Sequence, residues 1–198
     1  MCGRFLLEYG IDQLMFMFDA QNRYIGYGTK DEIFPTDMVA IVTREGAQNF
    51  IDGAKWGFNN QYGNRPLINA RGETVYEKKT FRSMFEHGRC IIPATAFFEW
   101  RKNPDGSKTK MQISIKDQPA FGMAGLYRAE HDEAGSTIMR CAIITTSANQ
   151  AMATIHDRMP VILPSHITRL WLDNTIDDIP MLKDLLRPYD GEIESKAL

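Results

Sequence analysis

Four short segments of the sequence carry polar side chains where a core strand or a plain turn would not require them. They are 2–5 (CGRF), 67–71 (LINAR), 97–100 (FFEW) and 155–160 (IHDRMP). Removal of Met1 would give Cys2 a free α-amine beside its thiol, and both groups are partly nucleophilic at neutral pH. Such a pair could attack an aldehyde or an amide carbonyl, so the N-terminus is the first candidate for covalent chemistry.

The other candidates are Glu99, His156, Asn69 and Arg71, and each is ambiguous when taken singly. Glu99 is embedded among aromatic residues and shares a strand face with Phe97, so its carboxylate is ion-paired, held protonated or exposed on a polar face. His156 can change its protonation state near neutrality, although a lone histidine more often has a structural role. Asn69 could equally cap the backbone of a turn, and Arg71 could equally pair with a carboxylate. These residues indicate catalysis when they are considered together.

The composition is that of an ordinary globular protein. The chain has 198 residues, of which 43% are hydrophobic and 24% charged, and this excludes intrinsically disordered, collagen-like and coiled-coil classes. The length predicts a single domain over residues 1–198. A net charge of −2 excludes a uniformly basic nucleic-acid coat but allows a local basic groove. Because no apolar run approaches the roughly 20 residues of a membrane span, we expect a cytoplasmic protein without a membrane partner.

The three cysteines, at positions 2, 90 and 141, are odd in number and far apart. The sequence has no Cys-x-x-Cys pair and no histidine pair at metal-binding spacing, which argues against a disulfide scaffold and against structural zinc. Cys90 and Cys141 lie in apolar, strand-like runs and are expected to act as small core residues. We therefore predict no metal and no other cofactor.

Hydrophobic periodicity predicts a central sheet with helices around it. The predicted helices cover 11–19, 73–86, 166–172 and 179–186, with Ser165 as the N-cap of the third. The predicted strands cover 38–43, 49–58, 89–92, 96–102, 110–116, 120–128 and 137–146, and residues 103–106 (NPDG) form a hairpin turn. Short strands joined by short turns favour an α+β fold, in which a mainly antiparallel sheet is curled into a barrel or sandwich with peripheral helices.

Six sequence blocks carry a resemblance to a known family. They are 1–5 (MCGRF), 67–74 (LINARGET), 89–93 (RCIIP), 97–101 (FFEWR), 145–149 (TTSAN) and 155–163 (IHDRMPVIL). In this order they are similar to the blocks of the SRAP family, whose members process and shield abasic sites in single-stranded DNA. Because the blocks span most of residues 2–190, the chain is identified as a member of that family.

The resemblance implies a self-crosslinking enzyme. In the family, the initiator methionine is removed and the second residue attacks the ring-opened aldehyde of an abasic deoxyribose, after which the thiol closes the Schiff base to a thiazolidine. On this chain the implied nucleophile is Cys2, with Asn69 as an orienting hydrogen-bond partner, Glu99 as the carboxylate that manages the protons of the amine, and His156 as the acid/base for sugar opening and turnover. The resemblance further implies AP lyase and autoproteolytic activity.

The resemblance also implies the partner, which is single-stranded DNA containing abasic sites. We expect the protein to be a monomer. Arg71 and Lys79 fall where the family holds the DNA backbone, and Arg4 is the basic residue of the first block. We therefore expect these three cations to bind DNA.

Two loops depart from the family pattern. Residues 32–36 (EIFPT) lack the usual asparagine, and residues 58–63 (FNNQYG) replace a loop rich in proline and tryptophan. Stacking on aromatic side chains contributes about 1–3 kcal/mol per base. We therefore expect weaker DNA binding unless Phe58 or Tyr62 supplies a stacking surface.

Two other functions stay open on the residues alone. An N-terminal-nucleophile amidohydrolase would use the same Cys2, with its own α-amine as the base. A non-catalytic single-strand-binding module would hold phosphates with the basic residues Arg4, Arg71, Lys78, Lys79 and Arg82. We rank the binding module last, because it has no use for Cys2, Glu99 and His156 together.

Overall fold

The computed structural model describes residues 2–60, 63–131 and 134–198. This part of the chain forms four α-helices and fourteen β-strands. The helices are α1 (Ile11–Phe18), α2 (Arg82–His87), α3 (Ser165–Leu172) and α4 (Ile179–Asp184). The strands are β1 (Phe5–Leu7), β2 (Ala20–Asn22), β3 (Lys30–Ile33), β4 (Met38–Glu45), β5 (Gln48–Trp56), β6 (Asn69–Arg71), β7 (Arg89–Ala94), β8 (Ala96–Lys102), β9 (Lys108–Ile115), β10 (Phe121–His131), β11 (Thr137–Ser147), β12 (Arg158–Pro160), β13 (Ile162–Leu163) and β14 (Ile193–Ala197).

The larger sheet closes on itself. Its strands follow the order β12-β11-β10-β7-β4-β5-β2, and the neighbours from β11 to β5 are antiparallel. β5 also pairs in parallel with β11, at Lys55 with Arg140 and at Trp56 with Cys141. This pairing joins the two ends and makes a barrel of β11, β10, β7, β4 and β5. The predicted α+β fold with a curled, mainly antiparallel sheet is confirmed.

A smaller sheet shares the hydrophobic core with the barrel. Its strands follow the order β14-β9-β8-β1-β3. Along β8, Phe97 belongs to the main core, whereas Phe98 belongs to a separate small cluster. Because side chains alternate between the two faces of a strand, Glu99 shares a face with Phe97, as predicted, and the structure shows that this face is the core side.

The predicted helix over 73–86 is wrong for most of its length. The structure has a helix at Arg82–His87, and residues 72–81 form turns and a bend. Glu73 is ion-paired with Arg158 of β12, and Val75 is buried in the core. These long-range contacts fix the segment in a non-helical path, since tertiary contacts commonly override the weak helix propensity of a short segment.

The other helices lie close to their predicted positions. α1 and α4 correspond to the predictions over 11–19 and 179–186. Ser165 is the first residue of α3 and not its N-cap, because the extended backbone that precedes the helix belongs to Pro164. Among the described residues, no helix is both long and apolar enough to cross a bilayer.

Arg89, at the start of β7, is completely buried and ties two helix ends to the barrel. All its side-chain nitrogens donate to backbone carbonyls. Four of these carbonyls are at the C-terminal ends of α2 and α3, namely those of Phe85, Glu86, Trp171 and Asp173, and the fifth is that of Ile176 in the segment after α3. Carbonyls at helix ends have no partner within the helix. The guanidinium therefore satisfies groups that would otherwise be buried without a donor.

We expect Arg89→Met to lower the free energy of unfolding by about 3 kcal/mol or more, because each buried carbonyl that loses its donor costs about 1–3 kcal/mol. Arg82→Met is the matched control, since Arg82 is exposed and pairs with Glu86 one turn along α2. Loss of such a surface pair costs at most about 1 kcal/mol. Urea unfolding followed by tryptophan fluorescence measures both variants, and equal losses would contradict the anchoring role of Arg89.

Candidate active site

Cys2 and Glu99 are placed by the smaller sheet. Cys2 precedes β1, and Glu99 lies on the antiparallel neighbour β8. Phe5 is opposite Phe97 in this pair. Continuing the same antiparallel register by two residues places Gly3, the neighbour of Cys2, opposite Glu99.

Asn69 and His156 are placed by β11 of the barrel. β6 pairs in parallel with β11, with Asn69 opposite Ile143. β12 pairs antiparallel with the last part of β11, with Pro160 opposite Thr145, and His156 lies two residues before β12. The end of β11 thus holds both segments side by side.

Cys2 and Glu99, placed by the smaller sheet, meet Asn69 and His156, placed by the barrel, between the two sheets. The side-chain amide of Asn69 donates a hydrogen bond to the carbonyl oxygen of Cys2 at 2.9 Å. Nε2 of His156 lies 3.9 Å from Oε2 of Glu99. The structure therefore brings together the four residues that the sequence predicts for catalysis, although they lie far apart in the chain.

Burial governs the chemistry of Cys2 and Glu99. Both residues are buried, which excludes an exposed polar face for Glu99. Burial raises the pKa of the Cys2 thiol, the charge of Glu99 raises it further, and a hydrogen bond from the thiol to the carbonyl of Arg4 at 3.8 Å opposes the increase. The thiol is consequently neutral at neutral pH. An α-amine on Cys2 would be a second nucleophile that does not depend on ionisation of this thiol.

His156 is oriented by the strand that follows it. The backbone N–H of Arg158 donates to Nδ1 of His156 at 3.0 Å, and Oδ1 of Asp157 lies 2.9 Å from the same nitrogen. Nδ1 cannot accept from Arg158 and donate to Asp157 at once. The Asp157 side chain is 87% exposed and can be solvated by water, so we assign Nδ1 as the acceptor. The neutral ring then carries its proton on Nε2, on the side of Glu99.

Arg158 is a candidate functional residue that the sequence analysis did not single out. Both of its terminal nitrogens bind the carboxylate of Glu73, and Nη2 also donates to the carbonyl of Thr145 at 2.7 Å. Hydrogen bonding from Arg158 lowers the pKa of the Glu73 carboxyl below its usual value. The pair fastens the turns at 72–81 beside His156. Because Glu73 is 85 positions away from Arg158, no local sequence pattern reveals it.

The predicted DNA-contact residues have different surroundings. Arg71 is exposed and lies two positions after Asn69 on β6, so both side chains project from the same face of the strand. Lys79 is exposed in the turns at 72–81. Arg4, by contrast, forms an ion pair with Glu32 at 3.2 Å. Arg71 and Lys79 are therefore accessible to a DNA backbone, whereas Arg4 is accessible in competition with Glu32.

Phe58, one of the two residues considered as a replacement stacking surface, is not available to DNA bases. Phe58 is completely buried, and its ring lies 6.4 Å from that of Phe81. It continues the inward alternation of β5, in which Trp56 is also buried. Tyr62, the other residue considered for stacking, lies outside the described residues.

The sequence matches the family described as SOS response associated peptidase (SRAP) over residues 1–197. The chain belongs to the SRAP family. The family inferred from the six sequence blocks is thereby confirmed. In this SRAP protein the first block contributes Cys2 from the smaller sheet, while the blocks around Asn69 and His156 are held by the barrel.

Curated relatives of this SRAP protein share a descriptive name. "Abasic site processing protein YoqW" from Bacillus subtilis is 34% identical over 97% of this chain and 89% of its own length. "Abasic site processing protein YedK" from Escherichia coli is 30% identical over 89% of this chain and 81% of its own length. "Abasic site processing protein HMCES" from Xenopus tropicalis is 29% identical over 72% of this chain and 50% of its own length.

Solved structures share the fold of this SRAP protein. A protein from Bacteroides thetaiotaomicron superimposes with a TM-score of 0.88 at 24% identity, covering 100% of this chain and 92% of its own. A phage-related protein from Bordetella bronchiseptica superimposes with a TM-score of 0.76 at 25% identity, covering 100% of this chain and 94% of its own. The arrangement of the barrel and the smaller sheet is therefore also found in solved structures.

Proposed function

We propose that this SRAP family member captures abasic sites in single-stranded DNA as a covalent adduct on Cys2. The observation that carries the proposal is the meeting of an aminothiol residue with Glu99, His156 and Asn69 at one site, in which Cys2 and Glu99 are buried and His156 is partly exposed. The relatives named abasic site processing proteins support the substrate class. In this proposal residues 1–198 act as one domain and as a monomer.

The chemistry begins with hydrolytic removal of Met1, which frees the α-amine of Cys2. Opening of the abasic sugar breaks its bond between C1′ and O4′ and leaves an aldehyde at C1′ and a hydroxyl at C4′. The amine nitrogen adds to C1′, and loss of water gives an imine. The sulfur then adds to the imine carbon while the thiol proton passes to the nitrogen, which closes a thiazolidine. Because amine and thiol belong to one residue, ring closure is intramolecular and has a high effective concentration.

Three side chains serve this sequence of steps. The carboxylate of Glu99 takes the proton that the amine releases as it attacks. His156, with its proton on Nε2, gives a proton to the departing sugar oxygen and receives one back during turnover. Asn69 acts as a positioning residue, because its hydrogen bond to the Cys2 carbonyl fixes the direction in which the amine points.

The DNA strand is held by cations outside the buried site. Arg71 and Lys79 are exposed and contact backbone phosphates in this proposal. Arg158 acts indirectly, because its ion pair with Glu73 holds the turns that carry Lys79. Phosphate contacts of this kind supply affinity without reading sequence.

The test uses uracil-containing single-stranded DNA that has been treated with uracil glycosylase. We expect a shifted band that survives denaturation when the protein is incubated with this DNA, and none with the untreated strand. A protein that hydrolyses amide substrates but gives no such band would be an N-terminal-nucleophile peptidase. A protein that shifts both strands in native gels, but whose complexes with both strands are lost on denaturation, would be a binding module.

Loss of either proton-transfer group should slow the reaction strongly. We expect Glu99→Gln and His156→Ala to reduce the single-turnover rate of adduct formation by roughly 10²-fold or more, as is usual when a positioned acid or base is lost. His166→Ala is the matched control, because His166 lies on α3 in another part of the structure. Quenched time courses on denaturing gels give the rates. A normal rate in either variant would assign that residue a structural role.

A further inference from the structure

The face of the smaller sheet that points away from the main core carries a small apolar cluster, made of Leu6, Ala96, Phe98 and Trp100. Two cations cover this outer cluster. The guanidinium of Arg4 lies 4.4 Å from the ring centre of Phe34 and 5.2 Å from that of Trp100. Nζ of Lys110 lies 4.3 Å from the ring centre of Phe98. Cations are attracted to aromatic faces, so both are held at defined positions on this face.

One carboxylate bridges the two cations. Oε1 of Glu32 lies 3.2 Å from Nη1 of Arg4, and Oε2 lies 2.7 Å from Nζ of Lys110. Partial burial acts to raise the pKa of the Glu32 carboxyl, but the hydrogen bonds and charges of Lys110 and Arg4 outweigh burial and lower the pKa below its usual value. Glu32 is therefore ionised, with each of its oxygens bound to a different cation.

A DNA phosphate presents the same chemistry as this carboxylate. It offers two anionic oxygens on one centre, and both guanidinium and ammonium groups bind phosphate well. The side chains of Glu32, Arg4 and Lys110 are 20%, 36% and 26% exposed, respectively. Ion pairs that reach solvent contribute little to stability, so an incoming phosphate can displace the carboxylate.

We propose that Arg4 and Lys110 form a phosphate-binding site for the DNA strand on the outer face of the smaller sheet, and that the carboxylate of Glu32 occupies this site as an internal competitor. The identity of the ligand rests on the proposed function. Arg4 is two residues from Cys2 along the chain, but its guanidinium lies on the face of the sheet opposite the main core that contains Cys2. The phosphate therefore belongs to a part of the strand that has passed from the site of Cys2 to this outer face. The competition weakens binding to intact strands, and retention of the protein then depends on the covalent step at Cys2.

The test compares Glu32→Gln with a matched control. Glu45→Gln removes the same charge from the larger sheet, where Glu45 pairs with Arg23 at 2.6 Å and Arg23 lies 3.1 Å from the ring centre of Phe50. Binding of fluorescent oligo-dT is measured by anisotropy over a series of salt concentrations. We expect Glu32→Gln to bind roughly threefold more tightly or better at low salt, and to steepen the salt slope by about 0.7 for each additional phosphate that the protein neutralises. Glu45→Gln should match the wild type.

A second substitution makes the result specific. The double variant Glu32→Gln, Lys110→Met should lose the increase in affinity, because the freed ammonium is then absent. Unchanged or weaker binding by Glu32→Gln would overturn the competitor role, and so would an equal increase in Glu45→Gln.

The abasic-DNA crosslinking assay separates this proposal from the proposed function. If wild-type protein crosslinks and Glu32→Gln binds oligo-dT like the wild type, the phosphate site is wrong and the function stands. A second result would separate them in the opposite direction. If the wild type gives no crosslink, while Glu32→Gln binds oligo-dT more tightly and the double variant with Lys110→Met loses this increase, the proposed function is wrong and the phosphate site is supported.

Discussion

The Cys2→Ala variant should lose the denaturant-stable adduct with abasic single-stranded DNA completely. The substituted chain keeps an α-amine once Met1 is removed, but it lacks the sulfur that closes the thiazolidine. The variant can therefore form an open imine, which water reverses. Treatment with borohydride reduces an imine to a stable amine, so a band should reappear when the reductant is present. Denaturing gels with and without borohydride measure both results.

A buried cysteine elsewhere in the chain is the control for this substitution. Cys2 and Cys141 are both completely buried in the main core, and Cys→Ala at either site should cost about 1 kcal/mol of stability, as for an average substitution. Cys141→Ala should form the adduct at the wild-type level. A stable adduct in Cys2→Ala without borohydride would contradict the mechanism, and its loss in both variants would assign the effect to folding.

Blocking the N-terminus should abolish the adduct as completely as removing the sulfur does. A chain that keeps Met1, or carries an added residue before Cys2, has an amide nitrogen at Cys2 in place of an amine. That nitrogen is not nucleophilic, and the buried thiol, whose pKa is raised by burial and by Glu99, stays neutral at neutral pH. Thiol addition alone to an aldehyde is reversible and cannot close the five-membered ring.

Two preparations of the same sequence measure the effect of the block. Intact-protein mass spectrometry establishes which preparation has lost Met1, and both are then tested with abasic DNA on denaturing gels. The processed form should crosslink and the blocked form should stay at background. Full reaction of the blocked form would show that the thiol suffices, and it would favour a cysteine hydrolase or a simple thiol adduct.

Local patterns were sufficient for much of the fold. The period-2 alternation of Met111, Ile113 and Ile115 predicts a half-buried strand, and all three side chains are buried on β9. The helical spacing in 11–19 predicts α1, and 96–102 matches β8. These elements are predictable because one face of each is apolar over several residues, and that pattern selects helix or strand whatever the rest of the chain does.

Other elements depended on contacts between distant parts of the chain. The turns at 72–81 replace a predicted helix because Glu73 binds Arg158 and Val75 enters the core. Phe58 looked available for stacking, but the fold buries it beside Phe81. Hydrophobicity and helix propensity depend on a residue and its neighbours in the sequence. They carry no information about a distant residue that contacts it in the folded chain, and that contact determines the local structure in both cases.

The sequence by itself determined the family and the residues of the candidate site. Six blocks identify the SRAP family, and the types of Cys2, Asn69, Glu99 and His156 define the chemistry that the site could perform. Only the tertiary structure decided how these residues meet. β8 carries Glu99 beside the N-terminus, and β11 holds Asn69 and His156 across from it.

The ion pairs around the site were also decided by the tertiary structure. Glu32 was visible in the sequence as part of an unusual loop, but its contact with Arg4 and Lys110 requires β3, β9 and the residue before β1 to be brought together by one sheet. A charged side chain gives no local sign of its partner, because Coulomb attraction acts on distance in space and not on separation along the chain.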